Sequence, residues 1–523
     1  AMAEVVAAGC SAEGLAAIGD AIEREGLNRV VVAGCSQRLY AGEFERLMRG
    51  AGLDPRLLAR VNLREQVVLP HRDNGAGVTA KAQSLVGMAV AGLKVMAGVE
   101  ALAEGGRQTL TQRALVVGGG AAGMAAALTL ARLHIPVELV EREAELGGQW
   151  RHIHYQLQMV SHPQAALAEL IAQVEAEDRI IIHRSAEVTG NDGGPGQYRS
   201  IITQNGEERT IEHGVLVVAT GGGPAATDEY LYGQDPRVLT QRELEQQISD
   251  GTLATAQTVV MIQCVGSREP ERPYCSRVCC TQAVKNALKL KELRPELNVY
   301  VLYREVRTYG FRETYYEAAR DAGVVFMRYE LPEKPDVKAN GSKLRVSLLE
   351  PVTGQSLELD TDLVVLSVGV EGAEEQELAE KVGVALTGDG FFQEEHGKMK
   401  PLDLGRGGMY VAGLAHSPRF LEETIVQAQG AAMRAAAYLA PEWVEDRASA
   451  VWVNERLCSF CGLCVEACPY EARVMNYDTR VADVDYGLCQ GCGVCAMVCP
   501  NKATLQKTME HKQLMASIDM ALG

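Results

Sequence analysis

The sequence predicts a multidomain α/β protein, and three observations carry that prediction. A glycine turn, Gly118-Gly119-Gly120-Ala121-Ala122-Gly123, separates an apolar strand from an alanine-rich helix. Short apolar runs alternate with helical stretches through the middle of the chain. The last part holds two copies of one cysteine spacing. At roughly 150 residues per domain, the 523 residues allow about three or four domains. With 47% hydrophobic and 23% charged residues the composition is that of a packed globular protein, which excludes disorder and collagen-like fibres. A formal net charge of −17 argues against a nucleic-acid or anionic-membrane binder, because such partners need a basic face. The sequence shows no stretch of about 18 uncharged apolar residues and no basic leader with an apolar core, so a soluble, unexported, cytoplasmic protein is expected.

Taken in order, residues 28–33 (NRVVVA) read as a buried strand ending in Gly34, Cys35 and Ser36. Helical spacing at 43–52 and 80–96 completes a small N-terminal α/β domain over 1–108, closed by a polar linker at 103–112. A strand at 114–117, the glycine turn, a helix at 122–133 and a strand at 137–140 then open a βαβ unit. Apolar runs at 214–219, 258–263, 298–303, 324–328 and 361–368 continue the same style through one large region, 109–447. Pro441 and a charged patch through Arg447 break it, and a compact tail follows over 448–523 whose two halves repeat each other.

Between a strand and a helix, GxGxxG is a specific signal. The first glycine permits the tight turn, the second lets backbone N–H groups approach a pyrophosphate, and the third lets helix and strand lie close. Glu141 closes the second strand 23 positions after Gly118 and would take ribose hydroxyls. A dinucleotide site on Gly118, Gly120, Ala122, Gly123 and Glu141 follows. Gly147 and Gly148 after Leu146, and the strand end 217–221 (VVATG), resemble the flavoprotein disulfide-reductase pattern. That resemblance implies FAD, with Gly148, Ala219, Thr220 and Gly221 in contact. The segment 410–415 (YVAGLA) resembles the family's last FAD contact at Gly413, but has Leu414 where an aspartate is usual. In that family a second glycine turn, in an inserted domain, binds NAD(P)H. Here the matching strand runs instead into Cys264, Val265, Gly266, Ser267 and Arg268. The expectation is a thioredoxin-reductase-like FAD domain with an inserted Rossmann-like subdomain at about 225–365 that has lost direct nicotinamide binding.

Fourteen cysteines in a chain read as cytoplasmic point to metal or redox chemistry rather than a disulfide scaffold. Cys458, Cys461, Cys464 and Cys468 are spaced CxxCxxCxxxC before Pro469, and Cys489, Cys492, Cys495 and Cys499 repeat this before Pro500. Three thiolates of one loop can cap a cubane while the fourth reaches the other cluster. One 4Fe-4S cluster is therefore assigned to Cys458, Cys461, Cys464 and Cys499, the other to Cys489, Cys492, Cys495 and Cys468. Zinc fits this spacing less well, since zinc C-x-x-C pairs usually stand further apart in sequence. The middle group, Cys264, Cys275, Cys279 and Cys280, matches no common spacing. By residues alone it is an iron–sulfur site beside the flavin, a dithiol relay, or a set of buried free thiols.

Two long segments, IQCVGSREPERPYCSRVCCTQAVKNALKLK from Ile262 and YREVRTYGFRETYYEAARDAGVVFMRY from Tyr303, resemble HdrA, the iron–sulfur flavoprotein of heterodisulfide reductase. The likeness extends over nearly the whole chain, including LNRVVVAGCSQR, NLREQ and the two-cluster ferredoxin tail. It implies an FAD and iron–sulfur subunit that splits or merges electron pairs between a high-potential acceptor and a low-potential, ferredoxin-type carrier. The resemblance further implies a cluster on Cys264, Cys275, Cys279 and Cys280, three 4Fe-4S clusters in all, with Lys285 near flavin N5 and Glu243 as the lysine's carboxylate partner. It also implies a homodimer within a larger assembly of thiol-disulfide reducing subunits, an NAD(P)H- or hydrogen-oxidising module, and ferredoxin. An N-terminal cluster is common in that family, but only Cys10 and Cys35 stand here, and Gln66, Val67 and Val68 lie where a cysteine often follows Arg-Glu-Gln. A complete fourth cluster is not expected unless another subunit lends ligands, and buried structural cysteines are the alternative. Three rival readings keep parts of this picture: a quinone-linked relay without bifurcation, a scaffold with structural FAD, and a self-sufficient NAD(P)H-dependent thiol reductase.

Overall fold

Runs of consecutive buried apolar residues, without polar alternation, are what a parallel sheet covered on both faces requires. Ala114–Val117, Val137–Val140 and Val215–Val218 are buried at every position. The computed structural model describes residues 2–36, 39–71, 75–96, 108–157, 162–253, 256–373, 375–444, 450–486, 488–506 and 508–523. They form two compact units, one spanning Thr109–Glu442 and the other joining Ala1–Gln108 to Trp443–Gly523. The expected linker lies, as far as residue 107, outside the described residues, as does the end of the charged patch before the tail.

In the first unit a seven-stranded sheet runs in the order Glu394–His396, Lys400–Leu404, Met409–Val411, Val215–Val218, Ala114–Val117, Val137–Val140, Ile180–His183. The last five strands are parallel. Their carboxyl ends therefore lie together, where open α/β sheets bind ligands. The helix Ala121–Arg132 follows the glycine turn and packs on Leu421–Leu439. Both helices bury alanines at the contact, which allows close approach. A Cβ on Gly123 would lie 1.7 Å from Gly118 O, and Gly118 itself sits at φ +108°. Glycine is needed at both positions.

A second, wholly parallel sheet has the order Val238–Thr240, Leu363–Val368, Thr258–Val265, Asn298–Tyr303, Val325–Arg328. The chain enters and leaves it through an antiparallel ribbon, Gly222–Pro224 against Val370–Gly372. The strand expected at 258–263 runs two residues further, through a register shift between Ile262 and Val265 at which Cys264 takes φ +63°. Two antiparallel three-stranded sheets, within Ala186–His213 and Asp336–Thr361, complete the unit.

The second unit begins with Val30–Gly34 paired in parallel with Leu58–Asn62, flanked by helices Ala12–Glu25, Ala41–Gly50 and Gly75–Val95. Its tail pairs Val451–Val453 with Thr504–Gln506 and Arg473–Asn476 with Val481–Val484. The last helix, His511–Leu522, lies along Gly75–Val95, where Ser517 Oγ donates to Met88 O at 3.1 Å. That helix ties the two sequence-distant halves into one unit.

Replacing Gly123 by alanine forces helix and strand apart and is expected to cost about 1–3 kcal/mol, read as a fall in the urea midpoint of the flavoprotein unit. A second expectation concerns His213. Ser200 Oγ lies 2.8 Å from its Nε2 and Val215 O lies 3.0 Å from its Nδ1. Burial pushes His213 down to about 4. The unfolded chain therefore binds the extra proton between pH 4 and an ordinary histidine value, so stability is complete above about pH 6.5 and falls by roughly 3 kcal/mol as pH drops to 4. Urea unfolding across that range should lose this slope in His213→Gln.

Candidate functional site

The glycine turn opens onto a cavity of about 690 Å³ at the carboxyl ends of the parallel strands, lined by Gly118, Gly120, Ala122, Glu141, Gly148 and the 219–221 strand end. Glu141 is held in place: its Oε2 accepts from Gly119 N–H at 2.6 Å and its Oε1 from Glu143 N–H at 2.8 Å. Gly413 lies at the neighbouring helix start, its N–H donating to Gln427 Oε1 at 2.7 Å, with Leu414 on the cavity wall. Trp150 Nε1 is buried at this cavity and has no hydrogen-bond partner among the described residues. Glycine backbone, a fixed carboxylate and a free indole N–H fit a dinucleotide such as FAD.

The cavity shares Gln149, His152, Ile153, Leu414 and Arg419 with a second compartment, whose far wall carries Lys285 and Cys279. Lys285, on the helix Cys279–Leu293, is only 8% exposed. Its Nζ donates to Glu245 Oε2 at 2.7 Å and to Tyr155 O at 3.1 Å, and stands 4.7 Å from the Tyr155 ring centre. Burial pushes the Lys285 pKa below its ordinary value, and Glu245 pulls it back. Glu245 is 1% exposed and also accepts from His154 N–H at 2.8 Å. The expectation that Glu243 pairs with Lys285 is thus corrected: the partner is Glu245. Glu243 is the third residue of the helix Gln241–Ser249 and closes its capping box, accepting from Thr240 N–H at 2.7 Å and from Tyr232 OH at 3.0 Å. Two residues apart on a helix are about 200° apart around its axis, so only Glu245 can face the lysine.

Cys264, Cys275, Cys279 and Cys280 come together where the loop after Thr258–Val265 meets the start of the lysine helix, close enough for their charges to act on one another. Burial pushes the Cys279 and Cys264 thiols up, and Cys280 up to about 11. Arg268 and Arg304 act on Cys264, and Arg307 on Cys280, in the opposite sense. Beside them, both amide atoms of Gln263 and the Thr281 hydroxyl are buried and have no hydrogen-bond partner among the described residues. Cationic neighbours and idle polar groups around four thiols fit an anionic cluster better than a set of inert cysteines.

In the tail, Cys458, Cys461, Cys464 and Cys499 line one small cavity, so the fourth thiol comes from the other half of the repeat. Cys489, Cys492 and Cys468 are the thiols that act on Cys495, which burial pushes up to about 11. A single zinc ion would need its thiolates at about 2.3 Å from one point. Among the described residues no group of three or more His, Cys, Asp or Glu side chains is arranged to hold a single metal ion, in the tail or in the middle group. Cys10 and Cys35 both line a cavity of about 780 Å³ in the N-terminal segment, and Val67, beside the Arg-Glu-Gln segment, is buried. No described helix is long and apolar enough to cross a membrane.

Residues 112–261 match the model of the pyridine nucleotide-disulphide oxidoreductase family, and residues 457–503 that of the 4Fe-4S dicluster domain. The chain is 32% identical to the HdrA component of the H(2):CoB-CoM heterodisulfide,ferredoxin reductase of Methanothermobacter thermautotrophicus, over 98% of this chain and 91% of that protein. It is 29% identical to the corresponding component of the ferredoxin:CoB-CoM heterodisulfide reductase of Methanosarcina acetivorans, over 90% of this chain and 74% of that one. Among solved structures, a thioredoxin reductase of Lactococcus lactis aligns with a TM-score of 0.46 and 18% identity, over 63% of this chain and 99% of that one.

Glu245→Gln and Glu243→Gln should separate the two carboxylates. Loss of Glu245 leaves a buried ammonium unpaired, at a cost of about 3–5 kcal/mol near neutral pH. Lys285 then titrates lower still, so the pH range in which stability rises with pH extends downward. Glu243→Gln keeps a side-chain oxygen that can close the capping box, so it costs less than about 1 kcal/mol and leaves the titration of Lys285 where it was. Urea unfolding from pH 6 to 10 reads both effects.

Proposed function

Because the chain belongs to the HdrA family of heterodisulfide reductase components, we propose that it is the FAD and iron–sulfur subunit of a larger reductase complex in which paired electrons are divided between two acceptors. It is an oxidoreductase of flavoprotein type with 4Fe-4S clusters. The observation that carries the finer reading is the continuity of the dinucleotide cavity with a compartment walled by both Lys285 and Cys279.

In this reading Gly118, Gly120, Ala122, Gly123, Glu141, Gly148, Ala219, Thr220, Gly221 and Gly413 hold FAD. Bound FAD supplies the exchange between two-electron and one-electron chemistry. Glu245 and Tyr155 O fix the Lys285 ammonium at the wall of the compartment, where it offers a positive charge and a hydrogen bond to an electron-rich ring edge. Cys264, Cys275, Cys279 and Cys280 hold a cluster on that wall, and the tail groups hold two more. Cys264 to Arg268 replace the glycine turn that would seat a nicotinamide, so hydride enters on another subunit. The relative from Methanothermobacter bears a name with hydrogen as donor and with heterodisulfide and ferredoxin as acceptors. Partners of that chemistry, in the reducing cytoplasm, suit this chain.

NAD(P)H added to the purified chain should leave the flavin absorbance unchanged, and bleaching would instead identify a self-sufficient reductase. Potentiometry distinguishes the remaining readings. Widely crossed one-electron flavin potentials carry bifurcation, and closely spaced ones a simple relay. Cys499→Ser and Cys468→Ser should each cost the chain about four irons from a different tail cluster.

A further inference from the structure

The tail halves repeat each other down to single hydrogen bonds. Ala472 N–H donates to Cys468 Sγ at 3.3 Å, and Ala503 N–H donates to Cys499 Sγ at 3.2 Å. Gly462 and Gly493 open the two short helices at φ +78° and +79°. The next position breaks the repeat, with Arg473 after Ala472 and Thr504 after Ala503. Arg473 is 3% exposed. Its Nη2 donates to Ala482 O at 2.6 Å and stands 3.5 Å from both Cys464 Sγ and Thr504 Oγ1. Among the described residues its Nε and Nη1, both buried, have no hydrogen-bond partner. Among the described residues no carboxylate forms an ion pair with it.

A guanidinium does not shed its proton, so a buried one persists only against a counter-charge. Arg473 lines the cavity of Cys458, Cys461, Cys464 and Cys499, and the cluster is the anion that would meet it there. We propose that Arg473 is the built-in counter-cation of that cluster and makes it the more easily reduced member of the tail pair. The proposal rests on the reading that the tail carries two 4Fe-4S clusters on the ligand sets given above. A thiolate-bound cluster is an anion that becomes more negative on reduction, so a fixed cation and an N–H···S contact favour its reduced form. The threonine in the other half supplies no charge; Arg473 also acts across the repeat on Cys495, but among the described residues its hydrogen-bond contact to a thiol is with Cys464, so the larger effect falls on that cluster. Electrons pass singly: one cluster is oxidised as its neighbour is reduced, with no bond made and no proton moved. The broken repeat thereby decides on which side an electron rests.

The test is an EPR-monitored redox titration of the full-length protein and its R473Q, R473M and R473K variants, with iron counted first. Methionine fills the space without charge, and lysine keeps the charge. In the wild type the two tail clusters should titrate apart. In R473Q and R473M, at unchanged iron content, the higher midpoint should move to more negative potential, towards the lower one, and R473K should keep most of the separation. Unchanged midpoints at full iron content, or equal shifts of both clusters, overturn the proposal. Loss of about four irons in both neutral variants overturns it as well, since Arg473 is then required for assembly rather than tuning. A wild-type tail without its irons is a different result: it defeats the cluster reading itself, and this proposal with it.

Discussion

The ribbon of Gly222–Pro224 against Val370–Gly372 is the constraint on which the flavoprotein unit depends, because the whole insertion hangs from it. The same backbone serves as the template for the middle cysteine loop. Val370 N–H donates to Ser276 Oγ at 2.8 Å, Tyr274 OH donates to Val370 O at 2.9 Å, and Cys279 Sγ lies 3.5 Å from Val368 O. Arg272 ties Gly266 O and the Glu371 carboxylate together at 2.6 Å each. A two-strand crossing held this way works as a strut. It keeps the four thiols and the lysine helix at a set distance from the dinucleotide cavity.

What was legible in the sequence follows from how local the determining physics is. Strands buried on both faces read as continuous apolar runs, and those at 114–117 and 137–140 have the expected bounds, as does the partly exposed 298–303. The helix expected at 80–96 begins earlier, at Gly75, because its first turn is rich in small residues and carries no apolar stripe. The antiparallel sheets leave little trace in the sequence, since strands such as Glu207–His213 expose most of their side chains and give no buried run. The joining of the N-terminal segment to the tail depends on the contact of Ser517 with Met88, hundreds of positions apart, which no local pattern encodes. The role of Glu243, by contrast, is local and readable. Thr240-x-x-Glu243 is a capping-box signature, and it assigns that carboxylate to the helix end, leaving Glu245 on the face towards Lys285.

The two buried cations show how charge is managed differently in the two units. Lys285 has a carboxylate at 2.7 Å and a carbonyl at 3.1 Å, so its charge is balanced within the chain whatever occupies the compartment. Among the described residues Arg473 has only neutral hydrogen-bond partners, Ala482 O, Thr504 Oγ1 and the Cys464 thiol. The first arrangement presents a charge of moderate strength to a ligand without depending on it. The second, in the reading proposed above, leaves the cation to be balanced by the anion held at the cysteine site.

The same reasoning extends to the middle thiols. Burial alone would leave Cys279 and Cys280 protonated at neutral pH, and thus poor ligands and poor nucleophiles. Metal binding must displace those protons, so the cost of loading rises with burial and falls with every cation nearby. Arg268, Arg304 and Arg307 stand where they lower that cost, and Gln263 and Thr281 hold unpaired polar atoms beside them. In a free-thiol or disulfide role these groups would only add desolvation cost, because neither state carries a charge for them to meet. The surroundings of the middle group are therefore better matched to an anion than to the cysteines alone, and that asymmetry favours the cluster over the relay.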